Sequence, residues 1–467
     1  MVSLNKLMQE AYKMTSQTAQ DTAFDYLAAF DAASPNNQFP LVQKWMKKEP
    51  LAFFKQLREE RPILVTPECT LVTRFDDVRD LLQMPSIFTV DLYKPKMGVT
   101  DTDEGYLMAH DDDALHYREK SLMQGMLNRD DIPRVRSLIE TSAKKILDDS
   151  NNAIEIVNQY CRTVPAILVQ DYFGLDGIEK KHLIEWSYWN QYDAFHNQPF
   201  DLNTTEKFNY IVSQHDKVSK ELVSYIAKLI GKKFIVVKAE ETKNRFLMGW
   251  YLLKKLFCKL FGIEQTVSKD DIVYRMLRSN FAEQVDFSLV RVGVNAGGLL
   301  IGAIETTSQA VSQSIQFFLD RPDLLKRAQQ AANENDTSHF DNMVWESLRF
   351  VPISPYMFRQ TSERYTLAKN TDRETTIPAK TNVLAITQSA MFDDYAYDNP
   401  ENFIPDRNAY HHFNFGFASH DCLGKYIGMV MIPEMVKQVL IRKDISSKEK
   451  IDYKGGPFPE SYPLTWK

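Results

Sequence analysis

Apolar residues recur at helical spacing along most of this chain, and that periodicity limits it to a mainly helical fold. The pattern covers residues 3–32, 111–127, 130–148, 153–173, 176–190, 204–230, 285–319 and 423–440. Strand signals are short and paired. Pro62–Thr66 and Thr70–Phe75 flank a Pro-Glu-Cys turn and predict a hairpin, and further short strands are expected around 356–361, 364–369 and 381–387. The expectation is a mainly α chain with one small β region early and another late.

No Gly/Ser- or Pro-rich linker, low-complexity tract or internal repeat marks a seam in the 467 residues. A helical extension over 1–45 and a single domain over 46–467 are therefore expected, with 231–268 a probable insertion or lid segment between two helices. A net charge of -6 lacks the basic excess of a nucleic-acid binder. Cys69, Cys161, Cys258 and Cys422 lie far apart, as in a reducing compartment. The N-terminus has no continuous apolar run of the kind a signal peptide or membrane span needs, so a cytoplasmic protein is expected. Residues 249–262 put Leu253, Leu256, Phe257 and Leu260 on one helical face and Lys254, Lys255 and Lys259 on the other. Such a helix can touch a membrane surface, but packing on the protein body is the commoner outcome and is favoured here.

The stretch "FNFGFASHDCLG" (413–424) holds one cysteine, Cys422. A buried structural thiol is the plain reading, and a disulfide or zinc site would need a second cysteine nearby. Two features favour a functional one. The preceding Asn399–Phe417 segment is irregular, aromatic and Asn-rich, and long irregular stretches inside compact bodies are usually functional. Gly416, Ala418, Ser419 and Gly424 allow a tight wrap, and a helix starting just after the cysteine supplies N–H groups that favour a thiolate. One soft ligand on an otherwise apolar loop suits a metal whose other positions a macrocycle fills, as in cysteine-ligated heme.

At these residues the chain resembles the cytochrome P-450 family of heme-thiolate monooxygenases. The family's Phe-x-x-Gly-x-His/Arg-x-Cys-x-Gly signature is met by Phe415, His420, Cys422 and Gly424, with Ala418 where glycine is usual. "WESLR" supplies Glu346 and Arg349, "FIPDR" supplies Arg407, and "GAIETT" (302–307) resembles the family's long-helix segment, all in the family's order. The resemblance implies a helix-rich prism with small β-sheets, holding heme b between a long central helix and the cysteine-loop helix.

Site roles follow from the same resemblance. Cys422 is the implied iron ligand, within a loop that also presents Phe415 and Gly424. His116, Lys120, Arg359 and His420 are implied partners of the heme propionates. Lys120 stands where arginine is common, keeping the charge and losing the bidentate fork. Glu305 and Thr306 are the implied acid and alcohol that deliver protons during oxygen activation, although a mid-helix threonine hydroxyl ordinarily bonds back four residues, here to Gly302. The usual Ala-Gly order is reversed at Gly302-Ala303. Glu346, Arg349 and Arg407 are expected to form a structural charge network, and Pro433 to kink the helix after the cysteine.

Insertion of one oxygen atom into a hydrophobic small molecule is the implied reaction. The chain after Cys422 has no room for a fused flavin reductase, so electrons are expected from a separate ferredoxin and ferredoxin reductase. Arg118, Lys120, Arg129, Arg134, Arg136 and Lys425 form either their docking patch or an ordinary solvated basic face. A peroxide- or hydroperoxide-using heme-thiolate enzyme is the nearest alternative, and a non-catalytic heme sensor a more distant one. The 85–110 loop, "VPISPYMF" (351–358) and "GGPFPESY" (455–462) are apolar and aromatic candidates for the pocket wall.

Overall fold

The computed structural model describes residues 24–98, 105–246, 270–279, 287–407 and 412–467. The helical signal in 3–32 is therefore seen only as α1 (Tyr26–Ala32), and the lysine-bearing 249–262 segment lies outside the described residues. Helices α2 (Pro35–Lys48) and α3 (Pro50–Glu60) both start on a proline, where the missing N–H has no helical partner to lose. Tyr26, Trp45, Phe53 and Phe54 pack ring against ring between these helices and the sheet, each burial stabilising by about 1.5–3 kcal/mol.

The expected hairpin is present as β1 (Ile63–Val65) and β2 (Thr70–Val72), followed by α4 (Phe75–Leu82) and β3 (Phe88–Thr89). Next come α5 (Ala114–Met126) and α6 (Ile132–Asp148), the first capped by Asp113, whose side chain accepts from His116 N at 2.8 Å. The 153–173 segment is not one helix. It opens as strand β4 (Ala153–Glu155) and continues as α7 (Thr163–Leu168) between two wide π turns, Val157–Cys161 and Val169–Phe173. Pro165 has no N–H to donate one turn back, which loosens the helix there.

The chain then forms α8 (Lys180–His196), α9 (Thr205–Phe246), α10 (Ile272–Ser279), α11 (Leu289–Leu319), α12 (Pro322–Ala332) and α13 (Ser338–Phe350). Residues 231–246 thus continue α9 and are not a segment between two helices. Strands β5 (Met357–Thr361), β6 (Tyr365–Leu367), β7 (Thr375–Ile377) and β8 (Asn382–Ala385) precede a short helix α14 (Thr387–Ala390), and α15 (Lys425–Leu440) and β9 (Pro463–Thr465) close the chain. The main sheet runs β1-β2-β8-β5-β3, with β2 and β8 parallel and the other pairs antiparallel, while β4 pairs with β9 and β6 with β7.

Helix α11 is the axis of the molecule. It packs on α7, α8, α9, α10, α12, α13 and α15, and its apolar length is covered by them rather than by water. Helix α15 runs through Pro433 without ending, because contacts with α6, α11 and α13 hold it on both sides of the missing hydrogen bond.

Three charges tie the irregular segment before Cys422 to α13. Arg349, fully buried, donates Nε and Nη2 to the two oxygens of Glu346 at 3.0 and 2.8 Å, and Nη1 to Met391 O at 3.0 Å. Arg407 Nε reaches Glu346 Oε1 at 3.1 Å, and its remaining nitrogens bind the carbonyls of Asp398, Asn399 and Asn402. Ile404 N adds a further bond to Glu346 at 3.0 Å. Phe350 and Phe392 flank the Arg349 guanidinium at 4.5 and 4.4 Å from their ring centres. A buried charge network of this kind is destabilising to break. Arg349→Ala is predicted to lower stability by about 3–5 kcal/mol, leaving Glu346 buried with one partner fewer. Soluble yield and heme content after purification are the measurements, and both are expected to collapse.

Candidate active site

The cysteine loop is a chain of tight turns. Gly416 N donates to Phe413 O at 3.0 Å, Asp421 N to Ala418 O at 3.1 Å, and Cys422 N to Phe415 O at 2.7 Å. Gly416 has φ +79, and a Cβ there would lie 3.1 Å from His420 O, so the turn requires glycine. Ala418, the departure from the family signature, has φ +58. It therefore holds the left-handed conformation that glycine adopts at no steric cost and alanine does not. Phe415 packs on Trp345 of α13, ring centres 5.0 Å apart, beneath the loop.

Cys422 is exposed and yet surrounded by protein, so its thiol borders an interior space. Burial pushes the thiol up, opposed by the Gly424 N–H, Lys120 and Lys425. In α11, Gly302 is exposed at mid-helix, and Ala303 and Thr306 are half-exposed beside it, so the three form one accessible face.

Helix α5 grips the loop. His116 is buried with Nε2 3.1 Å from Ser419 O and Nδ1 3.0 Å from Leu107 O. Lys120 Nζ donates to the same Ser419 carbonyl, to Asp421 O at 2.9 Å and to Asp421 Oδ1 at 2.7 Å. All three ammonium protons are thus taken up by the loop, so Lys120 clamps the cysteine's surroundings and has no donor left over.

Arg359 on β5 differs. It is buried, its Nη1 donates to Phe358 O at 2.8 Å, and among the described residues it forms no ion pair. Burial pushes its pKa down. His420 is held neutral, its pKa lowered to about 2 by burial and then by Arg359, His116 and Lys120. Its Nε2 has no hydrogen-bond partner and lies 3.7 Å from Asp112 Oδ1, which has none either. A buried guanidinium without a carboxylate, beside an unsatisfied imidazole, fits a ligand that brings its own anionic groups. Heme propionates meet that description, and a heme iron supplies the positive charge the enclosed Cys422 thiolate lacks.

Glu305 and Thr306 are neighbours in sequence but diverge by about 100° on the helix. Thr306 Oγ1 lies on the accessible face and donates to Gly302 O at 2.6 Å. Glu305 is fully buried on the other side, where Arg162 Nε contacts its two oxygens at 2.9 and 3.1 Å. Arg162, delivered by the wide turn before α7, also binds Asn158 Oδ1 at 2.6 Å, Glu460 Oε2 at 3.2 Å and Pro459 O at 3.1 Å. One guanidinium therefore serves two carboxylates. The more deeply buried Glu305 has its pKa raised to about 7, by burial first and against the pull of Arg162.

Neither Arg162 nor Glu460 stands out in the sequence, because both partners lie far along the chain. The turn carrying Glu460 also closes the roof. Phe458 nests among Tyr188, Tyr192 and His196 of α8 at 5.1, 5.8 and 5.2 Å, and burial with the nearby Glu460 carboxylate pushes the Tyr188 phenol well up. Lys96 ties the 94–96 turn to Asp193 of α8 at 2.8 Å. Of the basic residues considered for docking, Lys120 is buried in the loop clamp, and Arg136 is paired with Asp341 and Glu434 at 3.2 and 3.0 Å. Arg129 stays exposed with its guanidinium 3.8 Å from the Tyr426 ring centre.

An enclosed cysteine just ahead of α15 and a buried guanidinium that forms no ion pair among the described residues suit a heme-thiolate protein. The Cytochrome P450 family model matches residues 43–452, and the chain belongs to that family, whose members are oxidoreductases of the monooxygenase type carrying heme b. Cytochrome P450 109 of Bacillus spizizenii is 21% identical over 418 residues, 88% of this chain and 87% of the relative. The steroid C26-monooxygenase of Mycolicibacterium smegmatis is 22% identical over 360 residues, 75% of this chain and 76% of the relative. Among solved structures, a Bacillus megaterium cytochrome P450 in complex with testosterone superposes with a TM-score of 0.69 at 17% identity, covering 93% of this chain and all of the other.

Two predictions follow the geometry. Ala418→Gly is expected to stabilise the holoprotein by about 0.5–1 kcal/mol, relief of the left-handed strain exceeding glycine's entropy loss. Gly416→Ala is expected to destabilise it, and thermal midpoints of the two variants measure the contrast. The second concerns pH. A buried acid with a raised pKa holds its proton in the folded state after the unfolded chain has lost it. Stability should therefore fall as pH climbs from about 4.5 toward about 7 and level off above. Denaturant titrations of wild type and Glu305→Gln check this, the variant lacking that part of the slope.

Proposed function

We propose that this protein inserts one atom of O₂ into a hydrophobic small molecule in the cytoplasm, taking electrons from a separate ferredoxin and its reductase. The observations that carry the reading are a Cys422 thiol that is exposed yet surrounded by protein and an accessible mid-helix face on α11, Gly302 to Thr306. Cys422 would hold the heme iron, with Arg359 and His420 receiving its propionates, and Phe415 and Gly424 supporting the loop. When bound, the heme supplies the electron-rich iron chemistry that cleaves the O–O bond. The chain's own part is to exclude water and to supply protons. Glu305 holds one on its carboxyl near neutral pH, and Thr306 presents its hydroxyl on the cavity side one residue on. His116, Lys120, Glu346, Arg349 and Arg407 would keep the cysteine loop in place without touching substrate. Arg118 and Arg129 are exposed and, with Lys425, offer positive charge to an acidic redox partner. The relatives named for steroid oxidation and testosterone binding support an apolar substrate.

The test is made on the purified holoprotein with a surrogate ferredoxin and reductase. Reduced protein under carbon monoxide should show the thiolate-heme band, and Cys422→Ala should abolish it. Thr306→Ala should still bind heme and substrate but divert electrons into hydrogen peroxide, with product formation falling about 10²-fold or more. A wild type that ignores the electron donors, works with added peroxide and is indifferent to Thr306→Ala would instead be a peroxide-using enzyme.

A further inference from the structure

The carbonyl of Ile301, one residue before Gly302, receives more donors than a helix gives it. In an α-helix this oxygen accepts from the N–H of residue 305, and α11 is continuous through the turn. Two side chains of α8 reach the same oxygen. Ser187 Oγ donates to it at 3.1 Å, and Gln191 Nε2 donates to it as well. The two lie four residues apart, on one face of α8, and both are buried. The next carbonyl along is shared too, because Gly302 O receives the Thr306 hydroxyl at 2.6 Å. Two successive carbonyls of α11 thus take side-chain donors, and both belong to the turn that carries Glu305 and Thr306.

Packing alone does not call for this arrangement. A buried amide and a buried hydroxyl are destabilising unless bonded, and apolar side chains of the same shape would seat α8 on α11 without that requirement. Asn190 and Asp193, also buried on α8, are engaged elsewhere. Asn190 Nδ2 donates to Trp186 O at 2.8 Å and its Oδ1 accepts from Ser219 at 3.0 Å, while Asp193 accepts from Lys96 at 2.8 Å and from Asn197 at 2.9 Å. Ser187 and Gln191 direct their donors at the α11 backbone instead. Side chains that insert into a helical ladder are an identifiable cause of local distortion. At this turn distortion has a use. Glu305 is held on Arg162 at 2.9 and 3.1 Å on one side of α11, and the Thr306 hydroxyl lies on the other. A rigid turn keeps the two groups apart, and a loosened one lets them approach.

We propose that Gln191 and Ser187 are positioning residues for the proton-supplying turn: by drawing the Ile301 carbonyl toward α8 they weaken its bond from the Glu305 N–H and loosen α11 between Ile301 and Thr306. This rests on the reading above that Glu305 and Thr306 supply protons. Both residues act through the α11 backbone.

Hydrogen exchange of the holoprotein, resolved at the Glu305 amide and referred to the Val311 amide on the same helix, tests the loosening. Gln191→Met keeps the side-chain length and removes the donor, and Ser187→Ala removes the hydroxyl. Each should slow Glu305 exchange relative to Val311 about three- to fivefold, as the ladder bond regains its acceptor. Loss of a mere interhelix pin gives the opposite sign. The link to proton supply is read without substrate. Reduced holoprotein is mixed with oxygenated buffer, and the return of the oxidised heme spectrum, as O₂ leaves with one electron and one proton, is timed in H₂O and D₂O. Both variants should return about threefold more slowly, with a larger isotope effect. Glu305 exchange that is unchanged or faster in both variants, or return times that are unchanged, would overturn the proposal. Glu305→Gln separates the two levels. If it leaves the return time unaltered, the proton-supply reading falls; if it slows the return while Gln191→Met and Ser187→Ala do not, only the α8 pair falls.

Discussion

A thiolate inside a protein persists only against positive charge, and everything on the near side of the cavity is arranged around that requirement. The Cys422 sulfur receives the Gly424 N–H and feels Lys120 and Lys425, yet burial still outweighs them. The remaining charge would come from the iron of the proposed heme. Geometry is therefore the protein's main contribution. Its means are the Ser419 carbonyl, gripped at once by His116 and Lys120, and the Glu346 carboxylate, which holds Arg349, Arg407 and Ile404 N together. The first fixes the loop against α5, the second against α13. Between them the cysteine cannot drift.

The two buried glutamates follow opposite rules. Glu346 meets two guanidinium groups and a backbone N–H. Glu305 is buried and shares a single guanidinium with Glu460, so it is under-compensated and retains a proton near neutral pH. The same chemistry, a carboxylate beside an arginine, is thus a fastener in one place and an acid in the other. The count of partners decides which.

Much of this was legible in the sequence because it is local. The hairpin at 63–72, the helices after residues 111 and 130 and the cysteine-loop helix all announce themselves within a dozen residues. So does the Glu346-Arg349 pair, three apart on one helix face. What escaped is long-range. Strand β4 was indistinguishable from the start of a helix until β9 paired with it, Ile154 opposite Leu464. Arg162 had no signal of its own, since Glu305 lies 143 residues away. Lys120 was recognised by its spacing from His116, but its three acceptors on a loop some 300 residues on could not be read from that spacing. Gly302-Ala303 and Ala418 were visible as departures, and only the backbone angle of Ala418 shows that the loop keeps a glycine-like shape without the glycine.

Glu460 belongs to two systems. Its carboxylate accepts from Arg162, the partner of buried Glu305, and it lies on the same turn as Phe458, which nests against α8. One short turn thus joins the α8 contact to the acid on α11 through a single guanidinium.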